Sequence, residues 1–154
     1  MRKQHILTLE EAMNVVNGVV NFAKENNHRG VAVVVVNKYG QLVAAAKMTG
    51  LANRVMGAAH RKAYSASQFE RDTSLVIDMH QEGEAKGQKG PHDWNDRMLS
   101  TLPGGYCVLY NGEVIGAVAV AGGGGNISDW EFAEKAFECL GPGFTHRGKT
   151  EVHG

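Results

Sequence analysis

Apolar and polar positions along this chain follow two different periods. Leu9, Ala12, Met13, Val16, Val19, Val20 and Ala23 recur at helical spacing, which predicts a helix over about Leu9 to Asn26 with one apolar stripe. Thr8 and Glu11 in front of it form a Thr-x-x-Glu capping box, in which each side chain satisfies a backbone N–H at the helix start. Asn26 to Gly30 is polar and stops the helix. Val31 to Val36 is then a nearly unbroken β-branched run, the pattern of a strand covered on both faces. Asn37 to Gly40 reads as a tight turn and Gln41 to Lys47 as the returning strand, so the sheet is at least partly antiparallel.

The periods alternate again further on. A helix over about Arg54 to Glu70 is rich in Gly, Ala and Ser, so it can lie close to a sheet or to another chain. A shorter helix is expected from Asp72 or Thr73 to about Gln81. Residues 82–103 are polar and broken by Gly83, Gly87, Gly90 and Pro91, with Asp93 placed to cap a turn through Trp94 to Leu99. A stretch this long with little regular structure reads as a functional loop or packed arm. Strands Tyr106 to Tyr110 and Glu113 to Ala121 flank Asn111-Gly112, the pair that suits a type I′ hairpin. The last helix, about Asp129 to Leu140, carries a second capping box in Ser128 and Glu131 and ends at Gly141-Pro142. The tail, 141–154, is polar and expected to be loose.

The order is therefore α-β-β-α-α-β-β-α, without repeats. Two hairpins in one sheet flanked by helices define an α+β domain spanning 1–154, with its core over 7–140. The parallel crossovers of a dinucleotide-binding fold are missing.

Composition narrows the function classes. Sixteen Lys plus Arg balance sixteen Asp plus Glu, which leaves no electrostatic footprint for nucleic acid or an anionic membrane. No run approaches the roughly 18 apolar residues of a membrane span, and Glu10-Glu11 interrupts any secretory core near the start. Cys107 and Cys139 lack metal-ligand spacing and read as reduced, buried small hydrophobes. These features suggest a cytoplasmic protein.

Two places offer chemistry. Gly122, Gly123, Gly124 and Gly125 precede a helix N-terminus, where exposed N–H groups and the helix dipole favour a carboxylate or phosphate. A plain strand-to-helix connection is an equal reading, and Asp129 would repel an anion unless its carboxylate turns away. On the small-residue helix, His60, Tyr64 and Ser67 share a face, while Lys62 is rotated about 200° from His60. His60 with Tyr64 suits an acid/base pair or an axial metal ligand, and Lys62 suits a carboxylate. A solvated helix face is the simpler reading of that cluster. His80 and His92 flank the long loop, whereas His5, His28, His146 and His153 sit near ends or turns, where exposure is the default.

Taken in order, Leu7-Thr8-Leu9-Glu10-Glu11-Ala12, Val36 to Val43, Lys62-Ala63-Tyr64-Ser65-Ala66, Leu102-Pro103-Gly104-Gly105 and Gly112 to Gly123 resemble the GlcG/HbpS family. That family includes the C-terminal domain of PduO-type corrinoid adenosyltransferases. The resemblance implies a profilin-like antiparallel sheet with helices on both sides, assembled as homo-oligomers from dimers to octamers. Its members are linked to haem, to corrinoid metabolism and to catabolic operons. By position it implies roles for Lys62, Gly104, Gly105, Gly122, Gly123 and Asp129. The tetraglycine is longer than the family's usual glycine pair.

Two functional readings follow. In the first, the protein binds haem or a related tetrapyrrole, with His60 or His80 on the iron and Lys62 or Arg54 on the propionates. In the second, it is a cytoplasmic catabolic enzyme, an isomerase, deaminase or hydrolase of a small organic acid. There the glycine turns hold the carboxylate and His60, Tyr64 or Asp129 moves protons. A third role, as an assembly partner, would use the tail and the long loop as contact surfaces.

Overall fold

The computed structural model describes residues 4–122 and 125–147. Helix α1 (Leu9–Glu25) leads into the hairpin β1 (Ala32–Asn37) and β2 (Leu42–Lys47). Helices α2 (Asn53–Phe69), α3 (Thr73–Ala85) and the single turn α4 (Pro91–Trp94) follow. A second hairpin, β3 (Gly105–Tyr110) and β4 (Glu113–Ala121), precedes α5 (Asp129–Leu140) and a short strand β5 (Phe144–His146). The five strands form one antiparallel sheet in the order β2-β1-β4-β3-β5.

The unbroken valine run of β1 is explained by a core on each face. Val31, Val33 and Val35 join Val118, Val120 and the stripes of α1 and α5 in one layer. Val34, Val36 and Ala32 turn the other way, where Ala117, Ala119 and Ala121 meet Ala59, Ala63 and Ala66 of α2. Alanine faces alanine across that layer, so the helix backbone comes very close to the sheet. A Cβ added to Gly105 would sit 2.5 Å from the Lys62 carbonyl oxygen. The small residues of α2 thus serve its packing on the sheet.

Local signals account for most ends. Both capping boxes are made in full, at Thr8/Glu11 and at Ser128/Glu131. Asn37 Oδ1 accepts the Tyr39 and Gln41 N–H groups at 2.9 and 3.0 Å and so shapes the first hairpin turn. Asn111 and Gly112 both take positive φ, 52° and 82°, as a type I′ turn requires.

Two expectations are corrected, and one helix start departs from the usual capping chemistry. The segment after Leu140, expected to be loose, forms β5, which pairs antiparallel with Val108 to Tyr110. Asp93 does not cap a turn ahead of it; its carboxylate reaches back to the Lys89 N–H at 2.7 Å, and the helical turn is Pro91–Trp94. Asp72 stands at the N-cap of α3 but makes no capping bond there, because its carboxylate is engaged by groups distant in sequence. The long arm of residues 86–104 is packed down on α2: Ser65 Oγ accepts the Ser100 N–H at 2.7 Å, and the Tyr64 hydroxyl donates to Asp96 at 2.7 Å. Both cysteines are free thiols; burial, and then the charge of Asp72, push Cys107 up to about 12.

Candidate functional site

A cleft of about 460 Å³ opens where β1 begins and β4 ends, bounded by the connection before α2 and by the first turns of that helix. Arg54, Ala58 and Lys62 line it at successive intervals of four residues, one stripe of α2. Leu51, Val55 and Leu102 supply apolar wall, Arg29 a further cation, and Gly122 the end of β4.

Lys62 is the best-defined group of this site. Its Nζ would lie 3.3 Å from a Cβ placed on Gly104, whose φ of +108° and closeness to the Val120 carbonyl also demand glycine. Burial pulls the Lys62 amine below its usual range, and the carboxylate of Asp129 opposes that shift. Asp129 is the first residue of α5, and its carbonyl accepts the Tyr106 hydroxyl at 2.9 Å. Gly122 takes φ of +101°, and a Cβ on it would meet the Gly30 carbonyl at 2.8 Å. Gly104, Gly105 and Gly122 therefore allow strand ends and helix to meet, and they keep the backbone beside Lys62 bare. Gly123 and Gly124 lie outside the described residues.

The structure brings Arg54, Lys62 and Gly122 into one cleft, with Gly104 and Asp129 beside Lys62. It separates them from the other face of α2. His60 is half-buried and does not line the cleft. The Tyr64 hydroxyl is held by Asp96, a bond that raises it above the usual phenol range, and Ser67 Oγ donates to the Tyr64 carbonyl at 2.7 Å. His80 is turned toward the α4 turn: its Nδ1 is buried without a partner against Gly90, and its ring meets Trp94 at 6.1 Å. The His92 side chain lies outside the described residues. Among those described, no group of three or more His, Cys, Asp or Glu is placed to hold a metal ion.

Of two histidines expected at the surface, His28 is buried and His146 is half-buried. His28 is 6% exposed; its Nδ1 accepts the Gly30 N–H at 3.1 Å, its ring packs edge-on to Phe132, and its Nε2 is buried without a partner. A Cβ on Gly125 would be 3.1 Å from that Nε2. His146 Nδ1 lies 2.6 Å from Asp72 Oδ2, and Asp72 is itself 3% exposed with Oδ1 accepting the Cys107 N–H at 2.8 Å. The Asp72 cluster was not foreseeable from spacing, since its partners Cys107 and His146 are 35 and 74 residues away.

A five-stranded antiparallel sheet between helical layers, with a cationic cleft beside its first and fourth strands, defines a small α+β class of domain. The family model described as haem degrading protein HbpS-like matches residues 7–138, and the chain belongs to that family. Among solved structures it is similar to a PduOC:heme complex, at 21% identity and a TM-score of 0.78 over 94% of this chain and 100% of that one. A double mutant of Streptomyces reticuli HbpS is 25% identical, with a TM-score of 0.74 over 92% and 91% of the two chains. Klebsiella pneumoniae protein ORFY is 26% identical, with a TM-score of 0.73 over 92% and 97%. No curated protein matches the chain. Among the described residues no helix is long and apolar enough to cross a membrane.

Proposed function

We propose that the cleft binds an amphipathic carboxylic acid, and that this ligand is haem or a related tetrapyrrole. The observation that carries the reading is Lys62. Its ammonium is partly withdrawn from water at the edge of an apolar-walled cleft, and a bound carboxylate would restore the interactions that burial removes. Arg54, eight residues earlier on the same stripe, offers a second partner for a second acid group. Leu51, Val55 and Leu102 suit an apolar body between them. The residues present thus fit the propionates and the flank of a tetrapyrrole, and the HbpS-like family supports haem-related chemistry at that level. Iron, when bound, would supply redox and ligand-binding chemistry that the side chains lack. Among the described residues lining the cleft there is no His, Cys or Met, so an iron ligand has to come from elsewhere on the chain.

Haemin titration tests the reading. A saturable Soret shift that weakens in Lys62→Met and Arg54→Gln supports it, and the absence of any saturable shift in the unmodified protein overturns it. Family resemblance further supports a homo-oligomer, which gel filtration would test, whereas the cytoplasmic reading rests on the sequence and would be tested by fractionation.

A second reading is favoured by Lys62, whose buried amine feels the charge of Asp129 without forming an ion pair with it. A lysine lowered by burial beside a carboxylate is suited to exchanging a proton with a small organic acid held by Arg54. The protein would then be an isomerase, deaminase or hydrolase of a catabolic pathway. Thermal stabilisation and turnover with a panel of small carboxylic acids would support it, and a flat response across the panel would end it.

A further inference from the structure

The lysines with described side chains differ in what their amines hold. Lys38 Nζ donates to Gln4 Oε1 at 2.6 Å, and Lys47 Nζ donates to the Leu51 carbonyl at 2.6 Å. Lys135 pairs with Glu138 at 3.4 Å, and Lys24, Lys86 and Lys89 are exposed to water. Lys62 is arranged differently. It is half-buried and lines the cleft, yet among the described residues its Nζ meets no hydrogen-bond acceptor and no carboxylate at ion-pair distance.

The surroundings of that amine suit a nucleophile. A Cβ on Gly104 would stand 3.3 Å from Nζ, so the bare glycine leaves the nitrogen uncovered on that side. Burial draws the amine below its usual range against the pull of Asp129, which enlarges the share that carries a free lone pair. Only the unprotonated amine attacks a carbonyl, and desolvation is the usual way a lysine is made ready for Schiff-base chemistry. Arg54 stands eight residues earlier on the same stripe, about 12 Å along the helix axis, with the small Ala58 between them. Arg54 and Arg29 both line the cleft, so a carboxylate can be held there while a carbonyl of the same molecule reaches Lys62. Leu51, Val55 and Leu102 supply apolar wall for a short aliphatic chain.

We propose that Lys62 forms a Schiff base with a short-chain oxo acid, an aldehyde or ketone that also carries a carboxylate. The proposal rests on the small-acid reading of the cleft and names its substrate class and covalent step. The Nζ lone pair bonds to the carbonyl carbon, and the C=O π pair moves to oxygen. The nitrogen gives one proton to water as the oxygen takes one, which yields the carbinolamine. Its hydroxyl then takes a proton and leaves as water while the nitrogen lone pair forms C=N, and the nitrogen returns that proton to solvent. One amine and one oxo acid thus give one imine and one water, with no oxidant or reductant.

Pyruvate and levulinate are the probes, incubated with the full chain and sodium cyanoborohydride, which reduces an imine to a stable secondary amine. Propionate and pentanoate, which lack the ketone, are the controls. The expected result is one reduced adduct per chain with an oxo acid, placed on Lys62 by peptide mass mapping, and none with the controls. Lys62→Arg keeps a cation for the carboxylate but has no nucleophilic amine. It should lose the adduct and retain thermal stabilisation by the oxo acid. A lysine that merely holds a carboxylate would not be trapped in this way. If the oxo acids stabilise the unmodified chain and no adduct forms on Lys62, the Schiff-base assignment fails and the small-acid reading stands. If they neither stabilise nor label it, both fail, and the tetrapyrrole reading is left to its own haemin titration. Should Lys62→Arg not fold, mapping of the unmodified chain at limiting reagent decides the question. Labelling of Lys62 ahead of the exposed Lys24, Lys86 and Lys89 supports the assignment, and even labelling of all four overturns it.

Discussion

Asp72 and His146, 74 residues apart, share a 2.6 Å hydrogen bond that closes the outer edge of the sheet. β5 satisfies the edge of β3 only from Val108 to Tyr110. Beyond it, the start of α3 takes over: Asp72 Oδ1 accepts the Cys107 N–H and Thr73 Oγ1 accepts the Gly105 N–H at 3.0 Å. Two side chains from a helix start thus finish a ladder that the short strand leaves incomplete.

Asp72→Ala would strand the Cys107 N–H and the His146 Nδ1–H in a buried setting. We expect a loss of about 3 kcal/mol in urea unfolding, the range for orphaning buried polar groups. Asp72→Asn keeps an acceptor for Cys107 and should lose less than half as much. An alanine variant within about 0.5 kcal/mol of the parent, the range of an ordinary surface change, would show that the bond has no structural weight.

How much of this was legible in the sequence depends on the range of the contacts involved. Thr8 with Glu11, Ser128 with Glu131 and Asn111 with Gly112 act within a few residues, so their elements could be read directly. The separation of Lys62 from His60 and Tyr64 followed from helical geometry alone, and the structure keeps them on different faces of α2. β5 was hidden because three residues, Phe144 to His146, carry no usable period, and Pro142-Gly143 beside them reads as a tail. Asp72 resembles an N-cap by position, yet the sheet edge and His146 compete for its carboxylate and win. Arg29, Leu51 and Leu102 come from connections, whose approach to one cleft is set by the sheet.

His28 makes stability depend on pH. Burial lowers it from the ordinary value of 6.5, with Arg29 adding to the effect, so the folded state disfavours the charged ring. Its folded pKa is below the unfolded one, so its contribution is present above the unfolded value and is lost as pH falls through the folded one. The melting temperature should therefore fall as pH drops below about 6.5, with part of that slope removed in His28→Gln. Parallel slopes for parent and variant would show that His28 does not carry the effect.

Lys62 should separate binding from stability. Its ammonium is disfavoured by burial and only partly compensated by Asp129. Lys62→Met keeps the aliphatic stem and removes the charge, so the melting temperature should hold or rise while carboxylate affinity is lost. Differential scanning fluorimetry with and without haemin reads both quantities. A variant that binds as tightly as the parent would remove Lys62 from the site.

The glycine beside Lys62 should be intolerant for a reason unrelated to ligand. A Cβ on Gly105 would sit 2.5 Å from the Lys62 carbonyl oxygen and 2.9 Å from its carbon, and both belong to a helix backbone pressed on the sheet by alanines. Neither atom can swing aside as a side-chain tip would. Gly105→Ala must push α2 outward along the Ala59, Ala63 and Ala66 layer, and overpacking of that kind costs about 1–3 kcal/mol. Gly112→Ala is the control, because a Cβ there meets nothing within 4 Å and only its φ of +82° is penalised. Urea unfolding should therefore rank Gly105→Ala as the more damaging substitution. Since α2 also carries Arg54 and Lys62, the same shift should weaken haemin binding in Gly105→Ala and leave it intact in Gly112→Ala.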